Sequence, residues 1–204
     1  IPVALGNAKD DPAVDTIASR IAVKKLYKEV FGDTHDDLGD VDPERVQDLH
    51  RNYFPRTIAK LVADGHLDER LGRDFDLETL AAALDPTRDD LIGFMGVRTM
   101  INRYLLRTPD KQALEVPQYF WMRVAMGLSL TEDDPTSSAL ALYDSMSNLR
   151  HLAAGSTLVN AGTPSAQLSN CFVMRTEDNL EHIAKTIRDV MWITNGAGVI
   201  GLSM

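Results

Sequence analysis

The sequence predicts a mainly α-helical domain followed by the first βαβ unit of an α/β sheet or barrel. Three observations carry this. Asp11-Pro12, Asp42-Pro43 and Asp134-Pro135 each place a capping carboxylate before a proline at the first helical position. Gln118 to Leu130 is apolar nearly all round, as a central buried helix must be. After residue 150 the pattern changes to strand, helix and strand within about 35 residues, a spacing that makes the two strands parallel.

Residues 1–150 read as the helical domain. Behind the first cap, Val14, Ile17, Ile21, Leu26 and Val30 hold roughly one face, and Gly32 closes the helix. Gly32 to Asp42 reads as a solvated loop. Behind the second cap come Val46, Leu49 and Tyr53; a further helix through Ile58, Leu61 and Val62 is expected to follow and to end at Gly65. Asp76 caps a short helix carrying Leu77, Leu80 and Leu84. A longer helix is expected from about Arg88 to Leu106, although Gly93 and Gly96 weaken it by about 1 kcal/mol each. Pro117 precedes the buried helix, and Leu140, Tyr143, Met146 and Leu149 mark the last one.

Residues 151–204 read as the α/β part. Leu168 to Met174 is short and apolar, bounded by Pro164 upstream and charge downstream, and predicts a strand. Asp178-Asn179-Leu180-Glu181 has capping-box spacing with Asp178 as the cap, and Leu180, Ile183, Ile187, Val190 and Met191 supply the helical stripe behind it. The Asn195-Gly196-Ala197-Gly198 turn stops that helix, and Val199 to Met204 reads as the second strand. An apolar strand of this kind belongs in a larger sheet, so the sequence reads as a piece of a longer chain.

The chain has 204 residues, 44% hydrophobic and 25% charged, enough to bury a core. A net charge of −9 without a basic cluster argues against a nucleic-acid groove, while small phosphorylated ligands need only a few amides or cations. No apolar run is long enough for a membrane span, and no secretory leader pattern opens the sequence. A lone cysteine cannot form an internal disulfide, which makes a reducing cytoplasm the simplest location.

That cysteine, Cys171, has two readings. On an apolar strand it is a small buried hydrophobe. Its polar neighbours Ser169 and Asn170 suggest instead that this strand end faces a pocket. The glycine-rich turn ends a helix, whereas phosphate loops open one, so it reads first as a helix stop whose small residues also allow close approach of a ligand. Asp178 reads as an N-cap, and the same helix N-terminus can receive a ligand hydroxyl or phosphate. The five histidines lack ligand spacing, and neither a G-x-S-x-G elbow nor a P-loop is present, so no metal ligands are assigned.

Several stretches in order resemble the ribonucleotide reductase large subunit. Thr157-Leu158-Val159-Asn160-Ala161-Gly162-Thr163-Pro164, then Gln167-Leu168-Ser169-Asn170-Cys171-Phe172, is similar to the family's P-T-L-F-N-A-G-T and Q-L-S-S-C-F. Arg88-Asp89 through Gly96 and Tyr104-Leu105 resembles its R-D…Y-x-G…R-Y-L pattern. Val116-Pro117-Gln118 with Met122-Arg123-Val124-Ala125-Met126-Gly127-Leu128 resembles its P-Q…M-R-V-A-M-G-L helix, and Ala197-Gly198-Val199-Ile200-Gly201 its A-G-G-I-G. The pieces span about residues 12–204, and their order and spacing give the match its specificity.

The resemblance implies the start of a ten-stranded α/β barrel, truncated after its first βαβ unit, in an enzyme that reduces the ribose 2′-carbon by radical chemistry. Cys171 would be one of two redox thiols, distinct from the cysteine that carries the radical. Asn170 stands where a substrate-touching serine is usual; Gly155 and Ser156 stand where a small hydroxyl residue and a proline are usual. Ala197 and Gly198 match small residues against which substrate lies, with Val199 replacing a second glycine. Asp178, Asn179 and Leu180 match the segment that binds the deoxynucleotide effector. The implied partners are a ribonucleotide, dNTP or ATP effectors, a thioredoxin- or glutaredoxin-type reductant, a second copy of the full subunit and a small radical-generating subunit with a di-metal centre. Adenosylcobalamin is the alternative radical source; the Gln118 helix resembles the partner-dependent class more. An N-terminal ATP-cone has no counterpart in the sequence. Two rival readings stand beside this one: a non-catalytic split-gene or interaction fragment that joins a second polypeptide, and a generic nucleotide-binding α/β enzyme indifferent to its thiol.

Overall fold

A computed structural model describes residues 12–32, 43–196 and 198–203. Asp11, Asp42 and most of the expected loop to Asp42 lie outside the described residues, as do Ala197 and Met204. The helices are α1 (Pro12–Phe31), α2 (Pro43–Ala63), α3 (Arg70–Arg73), α4 (Leu77–Ala83), a 3-10 segment (Pro86–Leu91), α5 (Phe94–Arg103), α6 (Pro117–Ser129), α7 (Pro135–Ser147) and α8 (Gly155–Asn160). Strand β1 (Cys171–Arg175), helix α9 (Leu180–Asn195) and strand β2 (Val199–Ser203) follow. The strands pair in parallel with Cys171 opposite Val199 and Arg175 opposite Ser203, as the strand–helix–strand spacing requires.

Helix α6 is the axis of the core. Pro117 to Met126 is buried on every side, and α7, α8 and the 3-10 segment pack on it. Around it α1 packs against α5, and α2 against α4. Aromatic edges fill the α1–α2–α6 junction, where His50 lies among Tyr27, Phe31 and Tyr119 with ring centroids 5.0–5.6 Å apart. A buried polar chain ties the layers together. Tyr27 donates to Asp89 at 2.5 Å, the Gln118 side-chain amide donates to the other Asp89 oxygen, and Tyr143 donates to the Gln118 carbonyl. Burial pushes the Asp89 carboxyl up to about 7, against the pull of its Tyr27 and Gln118 hydrogen bonds.

Local signals place several elements correctly. Gly32, at φ 70, closes α1. Asp76 caps α4 by accepting from the Thr79 amide at 3.1 Å, and Asp134 caps α7 by accepting from the Ser137 amide at 3.0 Å. Elsewhere tertiary contacts redraw the expected boundaries. The two helices expected across 43–65 are one, α2, running through Pro55. Val46, His50, Phe54, Ile58 and Leu61 form one buried face in phase on both sides of the proline, and that packing outweighs the missing hydrogen bond. The single helix expected from Arg88 to Leu106 is two. Asp85 caps the 3-10 segment through the Thr87 amide at 3.0 Å, Gly93 is extended, and Asp15 from α1 accepts from the Phe94 amide at 3.3 Å where α5 begins.

Leu149, expected on the last helix, lies beyond its end with φ 56. The first strand begins at Cys171 rather than Leu168, because residues 167–170 are fastened to α8, a helix the periodicity does not signal. The apolar strand and the helical stripe behind it are open: Val173 is 89% exposed and Met191 68%, and Trp192 beside the stripe is exposed too, whereas Trp121 in α6 is 3% exposed.

Candidate functional site

The first residues of α8, the last residue before β1 and the start of β2 converge on Cys171. Gly155 is the first residue of α8, and a Cβ there would stand 3.9 Å from both the Asn170 carbonyl oxygen and the Tyr104 hydroxyl. Ser156 is buried; its hydroxyl donates to Asn170 Oδ1 at 3.0 Å and its amide reaches the same oxygen at 3.4 Å. The other end of that side-chain amide, Nδ2, donates to Cys171 Sγ at 3.6 Å. The Asn170 main-chain carbonyl accepts from the Val199 amide at 2.8 Å, which locks the residue to the first rung of the sheet. Cys171 itself is exposed, which overturns the reading of a small buried hydrophobe.

The return turn is held just as closely. Gly196 is the C-cap of α9, its amide bonding back to Trp192 and Ile193 carbonyls, so the turn is the helix stop that its spacing suggests. At Gly198 a Cβ would lie 2.6 Å from Ile193 Cγ2 and 2.8 Å from Phe172 Cε2, so any larger residue would have to displace both side chains. Asn160, at the end of α8, donates from its side-chain amide to the Gln167 carbonyl at 2.8 Å and the Gly196 carbonyl at 3.2 Å. Thr157 donates to the Leu168 carbonyl at 2.9 Å. Helix α8 thus fastens both the segment entering β1 and the turn entering β2.

The three residues assigned to an effector are not part of this cluster. Asp178, Asn179 and Leu180 follow the far end of β1, and a five-residue strand separates its ends by about 13 Å. The cap of α9 is Asn179, not Asp178: Asn179 Oδ1 accepts from the His182 amide at 2.8 Å. Both are Asx residues able to cap, and the Glu181 spacing favours the wrong one. The His182 ring fills the place expected for a capping-box glutamate, accepting at Nδ1 from the Glu177 amide at 3.1 Å. Leu180 is 83% exposed.

Sequence reasoning misses the groups that hold α8 in place. Arg123, buried in α6, donates to both Glu115 oxygens at 2.9 Å and to the Ala161 carbonyl at 2.6 Å, with Leu158 O at 3.3 Å. Glu115 in turn accepts from the Leu106 amide at 2.9 Å. One guanidinium thus satisfies the last carbonyls of α8, which a buried helix end requires. Beside it, a Cβ on Gly127 would fall 2.1 Å from the Gly162 amide nitrogen, and Gly162 has φ 77. These two glycines let α6 and the 161–162 turn touch backbone to backbone. The available signal is an arginine and a glycine interrupting an apolar helix.

Among the described residues, no group of three or more His, Cys, Asp or Glu side chains is placed to hold a metal ion. No helix among them is long and apolar enough to cross a membrane.

Residues 90–166 match the family model of the ribonucleotide reductase all-alpha domain. Over 98% of its length the chain is 37% identical to the ribonucleoside-diphosphate reductase subunit alpha of Chlamydia trachomatis, covering 18% of that protein. It is 31% identical over 94% of its length to the Helicobacter pylori subunit alpha, and 34% identical over 95% to the Schizosaccharomyces pombe large chain, covering 22% of each. The chain therefore spans about a fifth of the length of these relatives.

Proposed function

We propose that this chain, similar over nearly its whole length to ribonucleoside-diphosphate reductase large subunits, is the N-terminal part of such a subunit and supplies one redox thiol and part of two nucleotide sites to the enzyme. The observation that carries this is the chain of contacts from Gly155 and Ser156 to Asn170 and from Asn170 to the exposed Cys171, with Gly198 next to Val199, the strand partner of Cys171. In this reading residues 1–150 are the helical domain of the subunit and residues 151–204 begin its catalytic barrel. Cys171 protonates the departing 2′-hydroxyl, which leaves as water. It then forms a disulfide with a second thiol from elsewhere in the subunit. Two thiol hydrogens and two electrons are consumed for each hydroxyl replaced by hydrogen, and a thioredoxin- or glutaredoxin-type dithiol restores the pair. Gly155, Ser156, Asn170, Ala197 and Gly198 give the ribonucleotide small side chains, hydrogen-bonding groups and backbone to lie against.

At the far end of β1, Asp178, Asn179 and Leu180 receive a deoxynucleotide or ATP effector. The exposed N-terminus of the 16-residue α9 supports this, since free amides and the helix dipole favour an anion there. A small partner subunit with a di-metal centre supplies the radical, adenosylcobalamin being the alternative. The chemistry of this chain is that of its thiol and hydrogen-bonding groups. The full subunit acts as a homodimer in the cytoplasm, without nucleic acid or membrane.

The test is Cys171→Ser in the full-length subunit. Turnover with a dithiol reductant is expected to disappear while the substrate nucleotide still binds. Unchanged turnover would leave the generic nucleotide-binding reading in its place. A second reading, a non-catalytic piece that joins another polypeptide, draws on the exposed apolar surface of Val173, Leu180, Met191, Trp192 and Leu202. The two share one expectation, that the 204-residue chain alone turns over nothing; they part on whether the assembled protein needs Cys171.

A further inference from the structure

We propose that Asn170 is a positioning residue for the Cys171 sulfur, oriented for that task by Ser156. A side-chain amide has two unlike ends, and a free asparagine beside a strand presents either to its neighbour. Here the choice is made by Ser156. Its buried hydroxyl and its main-chain amide both offer hydrogen to Asn170, and only the carbonyl end can accept them, at 3.0 and 3.4 Å. The NH2 end is thereby turned toward Cys171 Sγ, 3.6 Å away, where it can only donate. The relay runs in one direction: Ser156 to Asn170 Oδ1, Asn170 Nδ2 to sulfur.

Two further contacts make the arrangement stiff. The Asn170 main-chain carbonyl is held by the Val199 amide at 2.8 Å, and Thr157 and Asn160 tie α8 to the segment that follows it and leads into β1. A donor fixed beside a sulfur limits its rotamers and stabilises negative charge that develops on it. A serine at position 170, with its shorter side chain, would not span from Ser156 to the sulfur in this way, so asparagine here and the hydroxyl at 156 form a matched pair. The inference rests on the reading of Cys171 as the reacting thiol only for its use in turnover, since the hydrogen bonds themselves are independent of the reaction.

The experiment is alkylation of the 204-residue chain by iodoacetamide at fixed pH, with iodide leaving as the S–C bond forms; Cys171 is the only cysteine, so the rate belongs to one atom. Asn170→Asp keeps the acceptor for Ser156 but cannot donate to sulfur, and should slow alkylation about tenfold; Asn170→Ala should slow it about threefold. Ser156→Ala should also slow it, and Ser156→Thr, which restores the hydroxyl, should recover the parental rate. Parental rates in both Asn170 variants with unchanged helical circular dichroism would overturn the proposal, as would a Ser156→Thr rate no better than that of Ser156→Ala. Nuclear Overhauser contacts in the unaltered chain give an answer even if a variant fails to fold. The Asn170 side-chain amide protons should lie close to the Cys171 Hβ protons, and contacts that place the carbonyl end there instead would sink the idea. Loss of turnover in Cys171→Ser tests the reductase reading separately.

Discussion

The Arg123 guanidinium and the Glu115 carboxylate meet at 2.9 Å with side chains only 1% and 2% exposed, and the same guanidinium holds the Ala161 carbonyl at the end of α8. A pair this deeply buried is costly to break from one side, because the surviving charge keeps its desolvation penalty. Arg123→Ala is therefore expected to destabilise the chain by about 3–5 kcal/mol in urea unfolding. Arg123→Met combined with Glu115→Leu should cost less than Arg123→Ala alone. A double variant as unstable as the single one would show that packing, not charge, is what the site needs.

Gly127 and Gly162 predict a purely steric effect. A methyl group added at Gly127 would stand 2.1 Å from the Gly162 nitrogen, so Gly127→Ala must push the 161–162 turn away from α6. A loss of about 1–3 kcal/mol is expected, and the thermal midpoint should fall accordingly. Gly162→Ala would press on Leu71 and on Arg123 of α6 and place a methyl at φ 77, displacing the same turn by another route, so the two losses should not add. Additive losses in a double-variant cycle would mean the two glycines act separately.

Asp89 predicts a pH dependence. Its ordinary value of 3.8 rises to about 7 on folding, with burial the largest cause and the Asp90 and Asp85 charges adding to it. The native state therefore holds this proton more firmly than the unfolded chain does. The stability tied to it is full below about pH 4 and is lost as the pH rises through 7, a change on the order of 4 kcal/mol. Asp89→Asn should flatten that slope. The measurement is the difference in urea midpoint between parent and variant from pH 4 to 8, which removes the contribution of other carboxylates. A constant difference would place the titration elsewhere.

The two candidate caps of α9 can be separated by substitution. Asn179→Ala removes the oxygen that accepts from the His182 amide and should cost about 1 kcal/mol, whereas Asp178→Ala should cost a few tenths at most. Equal losses would mean that both side chains share the cap.

Asp134-Pro135 and Asp76 are legible in the sequence because an N-cap needs only one side chain and an amide three residues on. Gly93 misleads because the group that starts α5 there is Asp15, which lies 79 positions away from the Phe94 amide it accepts. Pro55 looks like a boundary, and only packing along the whole buried face of α2 carries the helix through it. At the candidate site, Cys171 and its polar neighbours stand out by contrast with an apolar strand. The direction of the Ser156–Asn170–Cys171 relay does not, because residues 14 apart meet only once α8 is in place. Arg123 and Gly127 are visible as oddities in the apolar helix, but their partners at Glu115 and Gly162 are not.

The two tryptophans stand in opposite surroundings, Trp121 within α6 and Trp192 on the open face of α9. An indole in an apolar interior emits at shorter wavelength than one in water, and a dissolved quencher such as iodide reaches only the second. The chain thus carries two optical reporters of its own, one for each architectural part. Loosening of the helical core shifts the Trp121 emission to the red; any molecule seated on α9 shifts that of Trp192 to the blue and shields it from iodide. Fluorescence on the unlabelled protein can therefore tell unfolding of the core from covering of the α/β face within a single titration.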